Sequence, residues 1–288
     1  MQIGVIYPQT ELPTDADTLR TYSRGVEELG YRHLTTYDHV LGADPSVHAG
    51  WEGPYDVDTT FHEPLVLFGF LAGITQLELV TGILVAPQRQ TALLAKQAAE
   101  VDILTEGRFR LGIGVGWNRV EYEALGQDFT TRGKREEEQI EVLRRLWTER
   151  SVTHEGTFDR VIGAGLAPLP LQRPIPIWLG GMSPVAYRRM GRLADGWFPA
   201  VEPGPELDRA LALITEAAAG AGRDPAAIGM QGRLNCSATD RDELNRGAER
   251  WCDAGATHLS VHTMDAGLRG LDAHLGALAD AAGTLLVA

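Results

Sequence analysis

Lysine is almost missing from this chain: Lys96 and Lys134 are its only two among 288 residues, although Lys and Arg together number 26. Even so, the 39 acidic residues outnumber the basic ones, and the formal net charge is -13. Nucleic acid is gripped by a basic face, so no nucleic-acid partner is expected. Arginine in place of lysine, beside abundant Ala and Gly, reads as the codon bias of a GC-rich genome. Cysteine is equally scarce. Cys236 and Cys252 form no C-x-x-C pair, which suits a reducing compartment and excludes a disulfide framework. The histidines show neither H-E-x-x-H nor Cys/His spacing, so no metal is expected. No G-x-S-x-G elbow marks a serine hydrolase. The longest apolar run, "PLVLFGFLAGI", falls well short of the ~20 residues that span a bilayer. No basic n-region with an apolar core opens the chain. The expectation is a cytoplasmic protein that handles a small molecule and binds no membrane.

What is present is alternation. The strand candidates are "IGVIY", "HLTTYD", "LELVTGILV", "RFRLGIGV", "IPIWLG", "GWFPAV", "GMQGRLNC" and "HLSVH". Between them lie segments with helical spacing, such as "TALLAKQAAEVDILTEG", where Leu94, Ala98, Val101 and Leu104 recur and Gly107 supplies a stop. Near-continuous apolar strands joined by helices predict a parallel sheet with a covered outer face. Eight such units predict a closed (β/α)₈ TIM barrel, and residues 1–288 read as a single domain. A doubly wound Rossmann-like sheet is the alternative fold. Two interruptions stand out: a long loop after strand two, "VLGADPSVHAGWEGPYDVDTTFHE", and an insertion between strands four and five whose first half predicts a small hairpin. "EEE" at Glu136 to Glu138 reads as the solvated face of a helix whose Leu143 and Trp147 are core.

In such a barrel the active site forms at the C-terminal ends of the strands. Collecting those ends gives Tyr7-Pro8-Gln9, Tyr37-Asp38-His39, Gly82-Ile83-Leu84, Gly114 to Asn118, Gly180 to Ser183, and His262. The set is rich in glycine and in groups that can hydrogen-bond a planar ring. Asp38 and His39 are the catalytic candidates, because an imidazole is the side chain suited to moving protons near neutral pH. "GGMSPVAYRRMG" is the phosphate candidate. Gly180 and Gly181 let backbone approach an anion, Ser183 suits an N-cap, and Pro184 suits the first helical position. Arg188 and Arg189 are expected to add charge there. "GIGVGWN" is spaced G-x-G-x-G, not as a dinucleotide fingerprint, so it does not point to NAD.

Three ordered stretches, "LVTGILVAPQRQTALLAKQAAEVDILTEG", "GRFRLGIGVGWNRVEYEALG" and "IPIWLGG", resemble the luciferase-like monooxygenase superfamily, in particular its branch of F420-dependent oxidoreductases. The resemblance runs from "IGVIYPQ" to about Pro199 and thins afterwards. It implies a bacterial luciferase-like TIM barrel with a flavin or deazaflavin ring in its mouth. It also implies a non-prolyl cis bond at Gly82-Ile83 whose bulge backs the ring, and a phosphate site at Gly180, Gly181, Met182 and Ser183. Gly114, Gly116, Trp117 and Asn118 are the ring's expected neighbours on strand four. Asp38 and His39 match an Asp-His pair that, in sugar-phosphate dehydrogenase relatives, contacts the deazaflavin and serves proton transfer. Two departures set this chain apart from those dehydrogenases. Trp117 stands in the region where they carry an acid, and "HVLGADP" lacks their aromatic residue after the histidine.

The resulting expectation is an oxidoreductase passing a hydride between coenzyme F420 and a small organic substrate, assembled as a homodimer. Trp51, Tyr55 and His62 on the long loop would form a lid. An FMN-dependent monooxygenase using oxygen is the alternative within the family. A non-catalytic flavin-binding protein is the alternative of another class.

Overall fold

The computed structural model describes residues 1–236 and 240–286. Eight strands run through it: β1 (Gln2–Ile6), β2 (His33–Thr36), β3 (Glu78–Thr81), β4 (Phe109–Gly114), β5 (Ile177–Gly180), β6 (Gly196–Phe198), β7 (Gly229–Asn235) and β8 (His258–His262). Each pairs in parallel with the next, and β8 pairs back onto β1 with Gln2 opposite His258. The barrel is therefore closed and has no edge. Every residue of β2 and β4 is buried, as expected of strands covered on both faces.

The predicted strand "LELVTGILV" is interrupted. After Thr81 the chain bulges at Gly82–Ile83, whose peptide is cis, and Leu84–Val85 then rejoins the sheet opposite Ile113 and Gly114. The bulge falls where the family resemblance places it.

Helices α1 (Ala16–Glu28), α2 (Pro64–Leu71), α3 (Thr91–Leu104), α4 (Arg119–Ala124), α5 (Arg132–Thr148), α6 (Pro184–Leu193), α7 (Pro205–Gly220), α8 (Arg241–Asp253) and α9 (Leu271–Leu285) cover the barrel. Among the described residues no helix is long and apolar enough to cross a membrane. On α3, Leu94, Ala98 and Val101 are buried as their spacing predicts, while Leu104 at the helix end is exposed. Gly107 takes φ +80° and donates to the carbonyl of Asp102, closing the helix as a C-terminal glycine does.

The insertion before β5 contains the predicted hairpin, Val152–Glu155 against Arg160–Ala164. The reading of Glu136 to Glu138 as a solvated face is corrected. Glu136 shares the inward face of α5 with Ile140, Leu143 and Trp147, because 136, 140, 143 and 147 follow helical spacing. It is buried against Arg189, with Nη1 to Oε2 at 3.0 Å. Glu138 lies under the hairpin turn and accepts from the backbone N–H groups of Thr157, Phe158 and Asp159 at 2.9, 2.9 and 2.7 Å.

Candidate active site

A cavity of about 380 Å³ opens at the C-terminal end of the barrel. Its walls include the Gly82–Ile83 bulge, the β4 turn from Gly114 to Trp117, and the β5 turn from Gly180 to Met182. Its floor is Thr35, Gln231 and Ser260. Two of the glycines, Gly114 and Gly180, are required by one side chain, that of Ile83. A Cβ on Gly114 would lie 2.9 Å from Ile83 Cδ1, and one on Gly180 would lie 2.8 Å from Ile83 Cγ2. A Cβ on Gly82 would meet Thr35 Cγ2 at 2.4 Å. Larger residues at Gly114 or Gly180 would displace Ile83, and one at Gly82 would displace Thr35. The space that remains has apolar walls and a polar floor, and it suits a planar ring.

At the β5–α6 turn, Ser183 is the N-cap, its Oγ accepting from Ala186 N at 3.2 Å, and Pro184 follows at the start of the helix. This is the helix start that the sequence predicts. The expected charge is not there. Arg189 turns inward onto Glu136 and Glu137 at 3.0 Å each, because its position on α6 faces α5. Arg188 reaches back to the carbonyl of Pro184 at 3.5 Å and stays exposed. An anion at this turn would thus meet backbone N–H groups and the helix end.

The structure seats Asp38 and His39 beside the cavity, and neither lines it. Asp38 is buried, and both its oxygens are engaged. Oδ2 accepts from Val85 N at 2.9 Å, and Oδ1 accepts from Arg89 at 2.8 Å. Arg89 also pairs with Glu63 at 2.9 Å, and Glu63 caps α2 through Val66 N at 2.7 Å. Burial pushes the Asp38 carboxyl up, and the nearby Arg89 and Val85 N–H offset only part of that effect. The carboxylate therefore clamps the chain just past the cis bond to the start of α2.

His39 stands in a second recess of about 230 Å³, which Asn118 also lines. Its ring is boxed by Tyr55, Phe61 and Trp117, with centroids 5.1, 4.8 and 5.3 Å away. Trp117 also lines the main cavity, so it forms the partition between cavity and recess. Trp51 packs on Trp117 at 5.5 Å. Of the predicted lid residues, Trp51 and Tyr55 come to this corner. His62 does not; it lies against Tyr7 and lines a groove between α1 and α2. Asn118 caps α4, accepting from Val120 N and Glu121 N, and donates to the carbonyl of Leu41 at 3.1 Å. Tyr37 and Arg233, which also line the cavity, share an adjoining polar recess with His262.

Glu121 is the residue that the sequence reading missed. It is 1% exposed. Its Oε1 accepts from the backbone N–H groups of Val40 and Leu41, and its Oε2 accepts from Gln88 Nε2 at 2.8 Å. His39 Nδ1 lies 3.6 Å from the same Oε2. Burial works to raise the Glu121 carboxyl, yet the neighbouring His39 and the hydrogen bonds from Gln88, Val40 and Leu41 outweigh it and hold it below the usual range. The signal was the Asn118-x-x-Glu121 spacing of a capping box. Here the glutamate reaches across to the β2 loop instead of back to its own cap. An acid thus accompanies the histidine after all, four residues beyond Trp117.

The sequence profile of the luciferase-like monooxygenase family matches residues 1–285. An uncharacterized protein of Mycobacterium tuberculosis is 33% identical over 217 residues, covering 72% of this chain and 74% of its own length. The FMNH(2)-dependent dimethylsulfone monooxygenase of Pseudomonas fluorescens is 40% identical over 201 residues, 68% of this chain but only 51% of that protein. The solved structure of an F420-dependent secondary alcohol dehydrogenase in complex with an F420-acetone adduct superposes with a TM-score of 0.80 at 17% identity. It covers 99% of this chain and 98% of that one, a likeness of fold.

Proposed function

We propose that this chain, which belongs to the luciferase-like monooxygenase family, is an oxidoreductase that holds coenzyme F420 in its barrel mouth and acts on a small organic substrate. The observation that carries the reading is the cavity itself. It is bounded by the Gly82–Ile83 bulge on one side and by the Gly180–Met182 turn ahead of α6 on another, and Gly114 and Gly180 preserve its shape by leaving room for Ile83. The bound deazaflavin would supply hydride transfer. The chain's own residues would do the rest. Backbone at Gly181, Met182 and Ser183 would hold the phosphate end, Ile83 would support one face of the ring, and Trp117 would wall the other side. Gly114 and Gly116 would let the β4 turn lie close to the ring.

His39 would exchange a proton with a substrate that reaches past Trp117 into its recess. Glu121 would orient the imidazole, and Asp38 would hold the rim in place from behind. Trp51 and Tyr55 would exclude water from this corner. A homodimer belongs to the same proposal. The helix α2 is apolar on every side, and it leaves Val66 and Phe70 exposed. Light scattering that finds only a monomer would count against that part.

A second reading, an FMN-dependent monooxygenase, draws on the 40% identity to the Pseudomonas enzyme. Titration of the purified chain with F420 and with FMN, followed by fluorescence, separates the two. The expected result is micromolar or tighter F420 binding, roughly -8 kcal/mol, with weaker FMN binding. Stoichiometric FMN in the protein as purified would reject the F420 reading. Turnover by the loaded protein would in turn exclude a non-catalytic flavin carrier.

A further inference from the structure

The floor of the cavity holds a buried polar atom that nothing among the described residues satisfies. Thr35, Gln231 and Ser260 are 2%, 4% and 1% exposed. Gln231 Nε2 donates to Ser260 Oγ at 2.9 Å and to Thr35 Oγ1 at 3.2 Å. Ser260 Oγ lies a further 2.8 Å from His33 Nε2. Both amide hydrogens are therefore spent, while Gln231 Oε1 is buried without a partner. Burial, reinforced by the charge of Arg110, keeps His33 well below its ordinary value, so it adds no charge beneath the floor at neutral pH. Around this open acceptor the walls are mostly apolar, with Ile6, Ile83 and Phe198 among them, and the polar side chains that join them are those of Tyr37 and Arg233. Such a floor calls for an apolar surface that carries a single hydrogen-bond donor.

Resting on the deazaflavin reading above, we infer that Gln231 Oε1 accepts a hydrogen bond from the phenolic 8-hydroxyl of the deazaflavin, so that the benzenoid end points down into the barrel. The benzenoid end of that ring is an apolar surface with one O–H. FMN carries methyl groups there, which would seal Oε1 away from any donor. The pyrimidinedione end, which the two cofactors share, brings one N–H between two carbonyls; Oε1 could take the N–H, but the floor offers the carbonyls only the hydroxyl hydrogen of Thr35, so that end strands an acceptor against apolar walls. The floor thus selects the hydroxylated deazaflavin over FMN, by leaving an acceptor unpaired when the wrong ring binds.

The hydroxyl ionises with a change in visible absorption, so the contact can be read without turnover. The full chain is loaded with F420 and titrated with pH beside free F420 in the same buffers. An acceptor on the floor favours the protonated hydroxyl, so its pKa should rise on binding by about one unit, a tenfold preference. Gln231→Leu should return the bound hydroxyl to the free value. It should also weaken F420 about tenfold while leaving FMN unchanged or tighter. The wild-type titration decides even if that variant folds poorly. If F420 binds and its hydroxyl titrates with the free cofactor, or below it, this inference is wrong and the cofactor reading stands. If F420 does not bind and FMN does, both fall together.

Discussion

Two parts of the barrel interior treat their buried polar groups in opposite ways. At the β2 rim, all four carboxylate oxygens of Asp38 and Glu121 are engaged by Arg89, Val85, Val40, Leu41 and Gln88. At the floor, Gln231 gives both amide hydrogens to neighbours and keeps an oxygen open. A saturated network fixes backbone. It ties the β2 loop, the Leu84–Val85 segment, α2 and α4 into one corner. An unsaturated group at the bottom of a cavity is a seat for something the chain does not contain. Charge alone would have ranked the two the other way round, since the rim holds the ions and the floor holds none.

The contrast can be broken most forcefully at His39, which stands in a recess although its neighbours are clamped. His39→Ala should lower the rate per folded, cofactor-loaded site on the order of 10²–10⁴-fold, with cofactor affinity within a few-fold. A wild-type rate in loaded protein would move His39 from the chemistry into the clamp. Next comes Asp38→Ala, which leaves Arg89 buried without one of its two carboxylates. Removing one partner of a buried pair costs about 3–5 kcal/mol, and urea unfolding should show a loss in that range. A loss of about 0.5–2 kcal/mol would instead be that of a simple cap, and Asp38 would not be the clamp described here.

The smallest effect concerns Glu121 and pH. Its folded-state carboxyl is held below the usual glutamate range, so its stabilising contribution is complete above that range. The contribution is lost as the pH falls through the depressed value. Wild-type protein should therefore lose stability on acidification more steeply than Glu121→Gln over that interval. Parallel acid limbs in thermal melts would show that the rim network does not depend on this charge.

The barrel was legible because its strands are apolar on both faces and its helices keep their period. The hairpin and the Ser183–Pro184 helix start were legible from local turn and cap chemistry. What escaped depended on direction. Arg189 and Glu136 look like surface charges until α5 and α6 pack face to face. Glu121 looks like half of a capping box until the β2 loop folds over it. Thr35, Gln231 and Ser260 are ordinary strand residues in the sequence. They meet only because closure of the barrel sets the stagger that points all three into one space. Asp38 was legible as a residue of the mouth, but nothing local shows that its carboxylate faces Arg89 and not the cavity.

The central claim, that the cofactor lies between the Gly82–Ile83 bulge and the start of α6, is tested most directly at Ser183. Aspartate is as good an N-cap as serine, so Ser183→Asp keeps the helix start and puts a negative charge where the phosphate should sit. Gly181 is a poorer place for this test, because a Cβ there would lie 2.8 Å from Ala186 Cβ. The measurement is the affinity of Ser183→Asp for F420 and for the phosphate-free 8-hydroxy-5-deazariboflavin, with circular dichroism confirming the fold. The account predicts at least a tenfold loss for F420, about 1.4 kcal/mol, and little change for the phosphate-free deazariboflavin. Equal affinities of variant and wild type for F420 would contradict it, and the turn at Gly180–Ser183 would be a helix start and nothing more.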